Sequence, residues 1–213
     1  MQRSVFVSLL ALPLFIACSS SSTPSISAAD GGGADTGTTP AVDAGATVDA
    51  GPEETGPFTL ESKELEEGAT FDKDLTCNGK NQGPSFQWKG APPEGTQSFA
   101  LVMVDRTLKN FYHWAIVDIA KDVRELPAAI PLGFELETPA GAKQIKNYQG
   151  KAVYAGPCPP NGEDTYEFAL YALGVPSLDG VTDKTTGAAI VKLVQENSLG
   201  VAKLTGKYQQ PAK

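Results

Sequence analysis

The chain has 213 residues, a formal charge of −8 at neutral pH, a single histidine and three cysteines. That length suits one domain with appendages. An acidic balance without a basic stripe argues against nucleic acid as a partner. One His and three Cys fall short of the four regularly spaced ligands of a finger-type zinc site, so neither a metal nor a cofactor is expected.

Residues 1–17 carry one charge, Arg3, ahead of an apolar run from Val5 to Ala17. The run is shorter than the roughly 20 residues of a membrane span and has the form of a secretory leader. It ends Leu14-Phe15-Ile16-Ala17-Cys18, which resembles a bacterial lipobox. The resemblance implies cleavage before Cys18 and lipid attachment to its thiol, and Ser19 after the cysteine points to the outer membrane. An ordinary leader with an incidental cysteine is the alternative. Residues 18–56 then form a tether of Ser, Thr, Gly, Ala, Asp and Pro, too poor in apolar side chains to fold. Its six acids (Asp30, Asp35, Asp43, Asp49, Glu53, Glu54) meet no Lys or Arg, which leaves the remainder, 57–213, at −3.

The folded domain is expected over 57–213. Phe58 to Ser62 alternates as a short strand, and Asp74 to Pro84 is an Asn- and Gly-rich loop. Phe86 and Trp88 share one face of the next strand. Ser98 to Asp105 is almost continuously apolar, the mark of a strand buried on both faces. Phe111 to Ile119 is a second apolar strand, and the short loop between the two predicts a hairpin that brings Asp105 and His113 to one end. Residues 121–150 have no clear period and read as an irregular excursion.

Tyr154-Ala-Gly-Pro-Cys-Pro-Pro-Asn-Gly162 can be neither helix nor central strand, because Pro157, Pro159 and Pro160 lack donors. A stiff loop is left, of the kind that carries binding groups. Tyr166 to Leu173 is a strand with Tyr166, Phe168 and Leu170 on one face. Thr185 to Asn197 is the one good helix, its apolar face assigned to Ala188, Val191, Leu193 and Val194 and its cap to Asp183 or Thr185. Leu199 to Tyr208 closes the chain as a strand. The class is mainly β, a sandwich with one or two peripheral helices.

Asp105, Tyr112-His-Trp114 and Gly156-Pro-Cys-Pro-Pro-Asn-Gly162 together resemble the phosphatidylethanolamine-binding protein family, and within it the bacterial Raf-kinase-inhibitor-like branch. The loop Cys77-Asn-Gly-Lys-Asn-Gln-Gly-Pro84, Phe86-Gln-Trp88 and Ala91-Pro-Pro-Glu-Gly-Thr-Gln-Ser-Phe99 extend the likeness across the domain. The resemblance implies an antiparallel β-sandwich with a shallow pocket for a small anion, a phospholipid head group or a phosphorylated ligand. It assigns that pocket to Asp105, His113, Tyr154, Gly156 and Pro157. The family's usual Asp-Pro-Asp-x-Pro is here Asp105-Arg106-Thr107-Leu108, and Glu163-Asp164-Thr165 stands where the family carries a second histidine. The pocket is therefore expected to lack one acid and one histidine, with Arg106 a candidate substitute ligand through its guanidinium fork.

With Cys18 assigned to lipid, Cys77 and Cys158 remain. An export compartment favours a bridge between their loops; two free thiols are the alternative. Three functions compete. The first is a non-enzymatic binding module on the membrane. The second is a protein-interaction or inhibitor protein, by family analogy. The third is a hydrolase, which is disfavoured because no Gly-x-Ser-x-Gly elbow is present.

Overall fold

The computed structural model describes residues 56–211; the leader, Cys18 and nearly all of the tether lie outside the described residues. Nine strands and one α-helix follow in chain order. They are β1 (Thr59–Glu61), β2 (Ala69–Thr70), β3 (Phe86–Lys89), β4 (Ser98–Asp105), β5 (Phe111–Ala120), β6 (Glu125–Leu126), β7 (Lys143–Ile145), β8 (Glu163–Leu173), α1 (Gly187–Glu196) and β9 (Ser198–Gln209). A three-stranded sheet, β1-β3-β6, faces a six-stranded sheet, β2-β9-β8-β4-β5-β7. All pairings are antiparallel except β2 with β9. The expected hairpin of β4 and β5 forms, with Asp105 opposite Phe111.

The period-two pattern decides the layers. Leu60, Phe86, Trp88 and Leu126 of the small sheet meet Phe99, Leu101, Met103, Trp114, Ile116, Tyr166, Phe168 and Leu170 of the large one. Phe86 packs edge-on against Phe168 with ring centroids 4.8 Å apart, and Trp88 against Phe99 at 5.5 Å. Such pairs contribute about 0.5–1.5 kcal/mol each beyond the area they bury. The other face of the large sheet presents Ala100, Val102, Ala115 and Val117 to Ile190 and Val194 of α1. A strand covered on both sides must be apolar on both, which is why every residue of β4 is buried.

The helix differs from its expected form in detail. Thr186 is the cap, its hydroxyl accepting from the Ala189 N–H, while Thr185 accepts from Thr182 instead of capping. The buried face is Ile190 and Val194, one turn apart; Ala188 is exposed. Gly187 lets the first turn close on β5, because a Cβ there would run into the Tyr112 ring.

The excursion between β5 and the proline loop has a buried organiser. Gln144 of β7 is fully buried. Its Oε1 accepts from Trp114 Nε1 at 2.8 Å, and its Nε2 donates to the carbonyls of Pro131, Gly133 and Ala152 at 2.8–3.1 Å. One side chain therefore ties a non-periodic segment to the core strand. Gln144→Leu keeps the volume but leaves Trp114 Nε1 and three carbonyls without this partner, and is expected to cost about 3 kcal/mol in urea unfolding. Unchanged stability would show that the segment is held by other contacts.

Candidate ligand site at His113

The site sits where β4 ends and β5 and β8 begin. Pairing of β5 with β4 runs Met103 with Trp114 and then Val104 with Tyr112, so His113 is an extra, unpaired residue. In a regular strand His113 would face away from its neighbour Trp114, which lies in the inter-sheet core. The bulge instead turns it toward that core's open end, as bulges beside functional sites do. Its ring lies edge-on to Tyr166 at 5.2 Å, Tyr148 at 5.1 Å and Phe111 at 5.5 Å. Nδ1 donates to the Ala155 carbonyl at 2.9 Å, which fixes the tautomer and leaves Nε2 as the nitrogen without a protein partner among the described residues.

The proline loop behind His113 is pinned from below. Cys77 and Cys158 are bridged, with Cα atoms 5.4 Å apart, and the bridge closes 81 residues of chain. A closure of that length contributes about 4 kcal/mol on the chain-entropy account. The Cys77 N–H donates to the Pro157 carbonyl, and the Gly156 N–H to Asn81 Oδ1 at 2.8 Å. A Cβ at Gly156 would collide with the Leu75 carbonyl, Asn81 and Tyr154, so only glycine fits there.

These contacts change the roles expected of several residues. Tyr154 is a core residue: its hydroxyl donates to the Leu75 carbonyl at 3.1 Å and its ring lies edge-on to Trp114. Neither that hydroxyl nor the Gly156 N–H is left for a ligand. Pro157, which has no N–H, is buried within the loop. Arg106 is the first residue past β4, and its guanidinium lies 3.8 Å from Glu167, which pairs opposite Val104. In this arrangement its charge is directed at Glu167. Asp105 does reach the site; its Oδ1 accepts from the Leu108 N–H at 3.0 Å.

The expectation of a site short of one acid is also corrected. Strand β8 begins at Glu163, so Asp164 lies in register opposite Tyr208 and on the same side as Tyr166 and Phe168. It is 4 % exposed and lies against Asp105. The Oδ2 atoms of Asp105 and Asp164 are both sealed from solvent, and neither has a hydrogen-bond partner among the described residues. The sequence signal was the spacing Asp164, Tyr166, Phe168. Phe111 and Tyr148, also missed as site residues, are 43 % and 42 % exposed and form the rim. They continue into a groove of about 430 Å³ lined further by Lys146, Lys184 and the first turn of α1.

Burial lowers the pKa of His113, opposed in part by the Ala155 bond and the charge of Asp105. Burial raises that of Asp164, reinforced by the charge and contact of Asp105. Tyr166 is likewise raised, by burial and then by Asp105.

The sequence profile of the family described as phosphatidylethanolamine-binding protein matches residues 61–209. The chain is 33 % identical over 138 residues to the UPF0098 protein YbcL of Escherichia coli, covering 62 % of this chain and 74 % of that one. It is 30 % identical over 185 residues to the candidate lipoprotein LppC of Mycobacterium tuberculosis, covering 84 % and 87 %. The crystal structure of E. coli YbcL, titled a new member of the mammalian PEBP family, superposes with a TM-score of 0.67 at 29 % identity, over 73 % of this chain and all of that one.

The lowered pKa of His113 fixes a pH dependence. The fold favours neutral imidazole, so as pH falls below the ordinary value of 6.5 the unfolded chain takes up a proton that the folded chain resists, and stability drops. The loss reaches up to about 1.4 kcal/mol per pH unit until the depressed folded value is passed. Asp164 acts with the opposite sign, losing stability as pH rises from its ordinary 3.8 through its raised folded value. Comparison with His113→Gln separates the two. The stability of wild type minus variant is expected to be flat above neutrality and to fall on acidification; a difference independent of pH would contradict the assignment.

Proposed function

The chain belongs to the phosphatidylethanolamine-binding protein family, and on that premise we propose that it is a non-enzymatic module that binds a phosphate-bearing small ligand or phospholipid head group at His113. The observation that carries this reading is the presentation of His113. A bulge aims the ring, a main-chain carbonyl holds Nδ1, and Nε2 is left at the mouth of an aromatic cup. On taking a proton, Nε2 donates to an oxyanion. The groove beyond Phe111 and Tyr148 offers an apolar wall to the rest of a phosphate ester. A binding role is supported over a hydrolytic one because Nδ1 donates to a peptide carbonyl, not to the carboxylate that would orient a general base.

Titration calorimetry of the detergent-solubilised full chain with phosphate and O-phosphoethanolamine tests the reading. Saturable binding is expected, weakened about tenfold or more in His113→Ala, the size of one lost charge-assisted hydrogen bond. Absence of saturable binding, or binding indifferent to His113→Ala, would sink it. A protein partner captured equally by wild type and His113→Ala would favour the interaction reading.

We also propose that Cys18 is lipidated and holds the domain at the bacterial outer membrane; the likeness to LppC and the sequence Leu14-Phe15-Ile16-Ala17-Cys18 support it. Several acyl chains, at about 0.8 kcal/mol per buried CH₂, anchor a protein firmly. Cys18→Ala is expected to move the protein from the envelope fraction to the soluble one. Unaltered fractionation together with an unlipidated Cys18 by mass spectrometry would refute the anchor.

A further inference from the structure

Asp164 is the group at the site for which oxyanion binding has no evident use. It is buried with Asp105, and one oxygen of each is sealed without a donor. Two adjacent ionised carboxylates repel, and a buried acceptor without a partner is costly. The neighbouring cations do not resolve this. Arg106 and Lys203 both lie on Glu167, Lys207 lies on Glu163, and Lys146 lines the adjacent groove. The other titratable groups around the pair are His113 from β5, Tyr166 from β8, Tyr208 from β9, whose hydroxyl donates to Asn78, and Tyr148 beyond the imidazole. None of them carries a positive charge at neutral pH while His113 is neutral.

We propose that Asp105 and Asp164 share one proton, and that the pair makes oxyanion binding at His113 proton-linked. A single shared proton gives both sealed oxygens a partner. The pair then keeps one negative charge beside the ligand site. An incoming oxyanion is opposed by that charge and by the bare lone pair of Nε2. Binding therefore draws protons from solvent, one to Nε2, which donates it to the anion, and one toward the remaining carboxylate. Burial and the charge of Asp105, which raise the pKa of Asp164, act in the same direction. The pair in this sense sets which ligand charge the site accepts. This rests on the oxyanion reading given above.

The test is calorimetry of the full chain with inorganic phosphate, in buffers of different ionisation enthalpy, from about pH 5.5 to about pH 7.5, comparing wild type with the double variant Asp105→Asn/Asp164→Asn, which removes the pair's charge. Asp164→Asn alone leaves Asp105 ionised at the charge of the proton-sharing pair, and is expected to bind within about twofold of wild type at the upper pH. Wild type is expected to take up about two protons on binding, and to gain up to about a hundredfold in affinity per pH unit of acidification. The double variant is expected to bind about tenfold more tightly at the upper pH and to take up about one proton fewer. Phosphate's own titration cancels in that difference. Equal proton uptake in wild type and the double variant, or weaker binding in the double variant, overturns the proposal. So does ethanolamine binding to wild type that Asp164→Asn abolishes, since the carboxylates would then receive an ammonium. Carbon-13 NMR of the aspartate carboxyls in the ligand-free chain judges the pair independently. Coupled titration of the two is expected, and independent titration overturns the shared proton. Phosphate binding by none of the proteins, with coupled titration retained, removes the oxyanion reading and with it the linkage, and leaves the pair itself standing.

Discussion

The bond from His113 Nδ1 to the Ala155 carbonyl is the contact on which the site depends. It joins the bulged start of β5 to a loop that has no ladder of its own. The loop can accept because it is held elsewhere: by the Cys77–Cys158 bridge, by the Gly156 N–H on Asn81, and by the Tyr154 hydroxyl on the Leu75 carbonyl. A rigid acceptor fixes the tautomer, and the tautomer decides which nitrogen a ligand meets. Scaffold rigidity is thereby converted into chemical orientation, with little ordering left to oppose binding.

The second constraint is electrostatic. His113 stands in an aromatic cup with two carboxyls nearby and, among the described residues, no cation directed at it; Arg106 and Lys203 lie on Glu167. In a low-dielectric setting, the protonation states of His113 and the aspartate pair set the net charge that a ligand encounters. Asp105 and Arg106 are neighbours in sequence at the end of β4, yet the carboxyl reaches the site while the guanidinium lies on Glu167, away from the role it was expected to serve.

The strands were largely legible because both faces of β4 and β5 are covered, and continuous apolar runs of that length have few other structural meanings. The Tyr166-Phe168-Leu170 face was legible for the same reason, and compartment chemistry favoured the pairing of Cys77 with Cys158 over two free thiols. The orientation of His113 was not legible. Simple alternation from Trp114 points it outward, and only the pairing with β4 reveals the extra residue. Asp164 falls outside the strand expected from Tyr166 to Leu173, because β8 starts three residues earlier than its apolar run; its spacing from Tyr166 and Phe168 carried the information. Tyr148 had no local signal, since it sits in a turn closed by Asn147, whose Oδ1 accepts from the Gln149 and Lys151 N–H groups, and not in a segment with a period of its own. Tyr154 and Gly156 belong to the loop the sequence singled out, but they support it from beneath and do not face a ligand.

Nitrogen-15 NMR of the His113 imidazole, with and without O-phosphoethanolamine, tests the central claim most directly. The account predicts the Nδ1–H tautomer in the free chain, and protonation of Nε2 on saturation with the ligand while the Nδ1 resonance keeps its hydrogen-bonded position. An imidazole unmoved by saturating ligand, or a free ring protonated at Nε2 instead of Nδ1, would contradict it.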